Sequence, residues 1–182
     1  MLRFERRAFL AAAVTAVPSR LLGQAGDPSD DRGITPVASG ADRLGEQHTI
    51  GASSTAFKVL TRESQGAAFV MENSITQKGG PPRHLHHAQD EWFYVVTGEF
   101  VFEIGSHRFR LAPGDSILGP REVPHAYAFV GAGRGRLLIA FTPANRIEEF
   151  FRGRPDGSKY STDAARYRAY GLELLGPPLQ IG

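Results

Sequence analysis

Gly79-Gly80-Pro81-Pro82-Arg83-His84-Leu85-His86-His87-Ala88-Gln89-Asp90-Glu91 is the stretch whose reading decides the fold. His84 and His86 are one residue apart, so on an extended strand their imidazoles share a face, and His87 points away. Glu91 opens the apolar run Trp92-Phe93-Tyr94-Val95-Val96. If that run is the partner strand, two imidazoles and a carboxylate converge. A fourth histidine of the region, His125, closes a second segment of similar design, Gly114-Asp115-Ser116-Ile117-Leu118-Gly119-Pro120-Arg121-Glu122-Val123-Pro124-His125. Three neutral imidazoles and one carboxylate suit one divalent transition metal: Fe, Mn, Ni, Co, Cu or Zn.

The surrounding chain gives the architecture. Thr55–Thr61, Ala67–Ile75, Glu91–Thr97, Phe100–Ile104, His107–Leu111, Ser116–Leu118, Ala126–Val130 and Arg136–Phe141 read as short strands punctuated by Gly and Pro. Such a series predicts a closed antiparallel sandwich or barrel. Along Glu91–Val96 the parity predicts Glu91, Phe93 and Val95 inward, with Trp92, Tyr94 and Val96 on a covered outer face. The same parity puts Tyr127 and Phe129 on the side of His125, as pocket wall or as core. His48 and His107 read as structural or exposed, and Arg83 and Arg121 as solvent-exposed rim. Asp90 competes with Glu91 as the carboxylate ligand.

The two histidine segments resemble the cupin motifs. His84, His86, Glu91 and Gly98 match the first, and Gly114, Pro120 and His125 match the second. Glu122 stands where glycine is usual and Phe129 where asparagine is usual. The resemblance implies an all-β cupin or jelly-roll barrel, metal ligands His84, His86, Glu91 and His125, and a homodimer. The ending Gly171-Leu172-Glu173-Leu174-Leu175-Gly176-Pro177-Pro178 is similar to the tail of single-domain quercetin-dioxygenase-like cupins.

The chain has 182 residues, enough for one compact domain. Residues 1–25 carry Glu5-Arg6-Arg7-Ala8-Phe9-Leu10 before a short alanine-rich run, and resemble a bacterial twin-arginine signal with processing after Ala25. A periplasmic or secreted location follows from that reading, and the run is too short for a stable membrane span. These residues hold four of the 21 Lys and Arg and one of the 19 Asp and Glu, leaving 17 against 18. The basic character therefore belongs to the signal and gives no argument for nucleic acid. Cysteine is absent, which excludes disulfides, thiolate metal sites and cysteine nucleophiles. Residues 26–47 read as a flexible arm, 48–142 as the barrel, and 143–182 as a helical extension packed on it. In that extension a first helix follows Thr142-Pro143, and a second runs from about Thr162 or Asp163 through Leu174 to Gly176.

The functional expectation is a metal-dependent dioxygenase acting on a hydroxylated, planar compound such as a flavonol, with dioxygen as co-substrate. Catalytic roles fall to Glu91, as proton relay, and Tyr127. The alternatives are a metal-dependent isomerase, epimerase or lyase, served by Tyr127 or a residue of Phe69–Asn73, and a non-catalytic small-molecule-binding cupin.

Overall fold

The computed structural model describes residues 35–46, 48–50, 53–152 and 162–181. The expected export signal and residues 26–34 of the expected arm lie outside the described residues. The strands are β1 (His48–Ile50), β2 (Ser53–Val59), β3 (Phe69–Ile75), β4 (Pro82–His86), β5 (Asp90–Thr97) and β6 (Phe100–Ile104). They continue with β7 (His107–Leu111), β8 (Ser116–Gly119), β9 (His125–Phe129) and β10 (Gly135–Thr142). Two short helices follow, α1 (Ile147–Arg152) and α2 (Ala164–Ala169), and then β11 (Leu172–Pro178).

The strands form two antiparallel sheets, in the order β1-β2-β3-β10-β5-β8 and β11-β4-β9-β6-β7. Their inner faces enclose the core, so the jelly-roll barrel expected from the strand pattern is the observed fold. Register explains why. On β3, Phe69 and Met71 lie inward opposite Phe141 and Ile139 of β10. Phe141 and Ile139 in turn oppose Glu91 and Phe93 of β5. In the other sheet, Phe102 faces Tyr127 and Phe100 faces Phe129. Phe57, Phe69, Phe93, Phe100, Phe102, Phe129 and Phe141 are all fully buried. Each such side chain contributes about 1.5–3 kcal/mol of transfer free energy.

Phe129, the departure from the usual asparagine, fills the barrel end away from the ligands. Its ring is 5.4 Å from that of Phe100. The close approach of β10 depends on Gly135, where an added Cβ would lie 2.6 Å from Phe129 Cδ2. The substitution is thus a packing solution.

The C-terminal segment has two helices, as expected, but the second is shorter than the sequence suggests. It starts at an Asp163 N-cap, whose carboxylate accepts from the Ala165 and Arg166 amides, and stops at Ala169. Gly171 takes the left-handed φ of 78° that ends it. Leu172-Glu173-Leu174 then extends as a strand, with Leu172 opposite His86 and Leu174 opposite His84. Leu174 belongs to this strand and not to the helix. The edge of β4 supplies unpaired backbone groups, and an alternating segment satisfies them while burying Leu172. The first helix begins at Ile147 and not directly after Thr142-Pro143, because β10 continues to Thr142.

Candidate metal centre

Strand geometry brings the four expected ligands together. His84 and His86 leave β4 on one face, His125 pairs with His84 across β4 and β9, and Glu91 comes from the facing sheet. One ligand atom from each lies within 4.8 Å of all the others. All four side chains are buried. Glu91 Oε2 is 2.9 Å from His125 Nε2, 3.2 Å from His86 Nε2 and 3.9 Å from His84 Nε2.

The donor chemistry tests whether a cation fits. His84 Nδ1 is 2.8 Å from the Pro82 carbonyl, and His125 Nδ1 is 2.9 Å from the Val123 carbonyl. His86 Nδ1 is 3.1 Å from Gln89 Oε1. Gln89 Nε2 donates to the Ala144 carbonyl at 2.5 Å, which turns Oε1 towards the imidazole. Each Nδ1 therefore faces an acceptor and must donate. The Nε2 lone pairs then converge on a carboxylate that can also only accept. Three lone pairs and an anion at these distances repel unless a cation lies among them. His86 Nε2 is buried and makes no hydrogen bond. A single divalent transition ion satisfies all four groups.

Protonation states agree. Burial, reinforced by repulsion from His125 and His86, lowers the His84 imidazole to about 3, against the raising influence of Glu91 and the Pro82 carbonyl. Burial pushes the Glu91 carboxyl up, but its close approach to the His125 and His86 rings outweighs this and holds the group well below the usual carboxylate range. Neutral imidazole and ionised carboxylate are the forms that ligate.

Asp90 is excluded as the fourth ligand. Its carboxylate accepts from Arg121 Nε at 3.0 Å, Arg121 Nη2 at 2.8 Å and the Arg121 amide at 2.9 Å. Those bonds lower its pKa to about 2. Arg121 is spent in this pair, and Arg83 pairs with Glu103. His87 is half-exposed, 3.0 Å from Glu122. His107 is exposed beside Phe109, while His48 stacks on Phe57 with centroids 4.1 Å apart.

Beside the ligands is a cavity of about 40 Å³. His84, His86 and Glu91 form one wall. Met71, Ile139, Phe141, Ile147 and Phe150 form most of the rest, with Asn73 and Tyr127 adding polar groups. Tyr127 is buried and its hydroxyl oxygen accepts from Asn73 Nδ2 at 2.8 Å. Tyr127 is thus a wall of the site, whereas Phe129 is core. A larger open depression of about 660 Å³, at Val101, Arg108 and Arg110 of β6 and β7, shares none of these residues.

Gln89 is the functional residue that sequence reasoning missed. It is buried, and it links His86 to the chain just before α1. A glutamine three residues after a ligand histidine is the only local signal, and it is weak.

Residues 74–141 match the family model described as Cupin domain. Two solved structures share the barrel. KdgF from Halomonas sp. is 18% identical, with a TM-score of 0.51 over 57% of this chain and 90% of that one. A protein described as a predicted oxalate decarboxylase, from Thermotoga maritima, is 14% identical, with a TM-score of 0.55 over 60% of this chain and 99% of that one. Identities this low bear on the fold alone. No curated protein sequence matches the chain. The matched segment contains all four ligands, and the two antiparallel sheets close around them as an all-β cupin jelly roll.

Proposed function

We propose that this chain is a metal-dependent lyase or isomerase acting on a small oxygenated organic compound. The observation that carries the reading is the cavity. Sites for drug-sized ligands span about 300–1,000 Å³. The space here is about 40 Å³, room for about three waters, and favours a substrate of few non-hydrogen atoms over a flavonol.

A bound divalent ion would polarise a carbonyl or carboxylate oxygen of the substrate as a Lewis acid. The chain's own residues supply the rest. The Pro82, Val123 and Gln89 oxygens fix the three imidazoles. Ionised Glu91 is the group able to take a proton from carbon next to the polarised oxygen. Tyr127, held by Asn73, lines the same cavity and can return a proton. Return to a neighbouring atom gives isomerisation, and departure of a group from the adjacent carbon gives a lyase. The side chains of Phe141, Ile147 and Phe150 keep water from the reacting atoms.

The dioxygenase reading keeps support from the donor set, which suits redox-active ions, but it requires the cavity to widen. Protein loaded with Mn, Fe, Co, Ni or Zn should convert a member of a panel of small hydroxy, keto and dicarboxylic acids without oxygen. In Tyr127→Phe, kcat should fall by about 10²–10⁴ at unchanged metal content. Two labelled oxygen atoms incorporated from dioxygen into a flavonol product would instead select the dioxygenase. Full metal occupancy without turnover of either kind would favour a binding protein.

A further inference from the structure

The cavity beside the metal ligands has a second polar pole. On β3 the inward row is Phe69, Met71, Asn73 and Ile75, so an amide stands where the neighbouring inward positions are apolar. Asn73 is 2% exposed. Its Nδ2 is engaged with the Tyr127 hydroxyl, which orients the amide, while its Oδ1 is buried and accepts no hydrogen bond. The cross-strand neighbours do not supply a donor. Leu137 of β10 is apolar, and the Thr55 hydroxyl of β2 is itself buried without a partner. An amide oxygen desolvated to this degree is normally satisfied by something. Asn73 lines the same cavity as His84, His86 and Glu91.

We infer that Asn73 is the specificity-determining residue of this site: its Oδ1 accepts a hydrogen bond from a hydroxyl of a small substrate whose carbonyl or carboxylate oxygen lies at the metal ligands. The substrate class is thereby narrowed to short hydroxylated acids or carbonyl compounds. The inference rests on the proposed function only in taking this cavity as the substrate site. A compound with the hydroxyl satisfies Oδ1, and its deoxy analogue leaves the acceptor buried and unpaired. One such mismatch is worth about ten- to a hundredfold in affinity.

The test is binding without turnover. Co(II)-loaded protein is titrated with glycolate against acetate and with 3-hydroxypropanoate against propanoate, following the visible Co(II) absorption. In the wild type the hydroxylated member of a pair should bind about ten- to a hundredfold more tightly. Asn73→Leu, close in shape but without the acceptor, should bring the two members together at unchanged cobalt content. Asn73→Ala gives the same reading should leucine disturb folding. Persistence of the preference in these variants would mean that the metal alone reads the hydroxyl, and would overturn the inference. Equal binding of both members by the wild type, including no binding of either, would overturn it too. Failure to find a lyase or isomerase reaction leaves this ratio untouched, so the two ideas fail separately.

Discussion

Each ligand imidazole is fixed by what lies behind it. Two Nδ1 groups use carbonyls two residues away, at Pro82 and Val123, so the local turns that place His84 and His125 also set their tautomers. His86 instead relies on a side chain, and Gln89 in turn relies on Ala144, 55 residues further along the chain. Removing such a partner typically costs 10–100-fold in metal affinity. Gln89→Leu should therefore lower affinity by about that factor, measured by competition with a chelator, while the folded barrel persists by circular dichroism. Unchanged affinity would mean that the imidazole needs no orienting partner. The ligands were legible in the sequence because parity puts His84 with His86, while the resemblance to the cupin motifs selects Glu91 and His125 and the alternation of Glu91 with Phe93 agrees. Gln89 was not, since its role depends on a carbonyl that only the folded chain brings near.

At the scale of elements, the turn between β8 and β9 delivers His125. Glu122 occupies it with a φ of 61°, in the left-handed region, where the cupin pattern has glycine. The backbone conformation is thus kept although the residue is changed, and its amide still donates to the His86 carbonyl at 2.8 Å. A side chain there costs about 1–2 kcal/mol of backbone strain. What it gains is an exposed contact with His87, worth little in water. Glu122→Gly should raise the melting temperature by about 2–4 °C at unchanged metal content. A lower melting temperature would show that the His87 contact outweighs the strain. Sequence reading identified the turn and its odd residue, but not β11. Leu174 fits a helical face with Tyr167, Tyr170 and Gly171 as well as it fits a strand. The free edge of β4, which decides between them, is a property of the assembled sheet.

For the whole molecule, the two faces of the six-stranded sheet differ sharply. The inner face carries Glu91, Phe93 and Val95, and the outer face carries Trp92, Tyr94 and Val96, the alternation expected from sequence. On the outside, Trp92 lies in register between Ala140 and Leu118, and Tyr94 between Leu138 and Ser116. The two rings stack with centroids 5.9 Å apart, and Leu118 is 47% exposed. The hydrogen bonds from residues 35–46 to this sheet run to Phe57 and Lys58 of β2 and to Arg136 of β10. An apolar cross-strand face of this kind marks an association surface. About a two-fold axis the tryptophan of one copy would meet the leucine and tyrosine of another. We therefore expect the domain to form a homodimer through this face. Light scattering on protein beginning at Gly26 should give the dimer mass, and Trp92→Glu should give the monomer while retaining its metal, because Trp92 points away from Glu91 and the cavity. A monomeric wild type, or a Trp92→Glu variant that dimerises as tightly as the parent, would remove this face as the interface and leave Trp92, Tyr94 and Leu118 exposed to solvent.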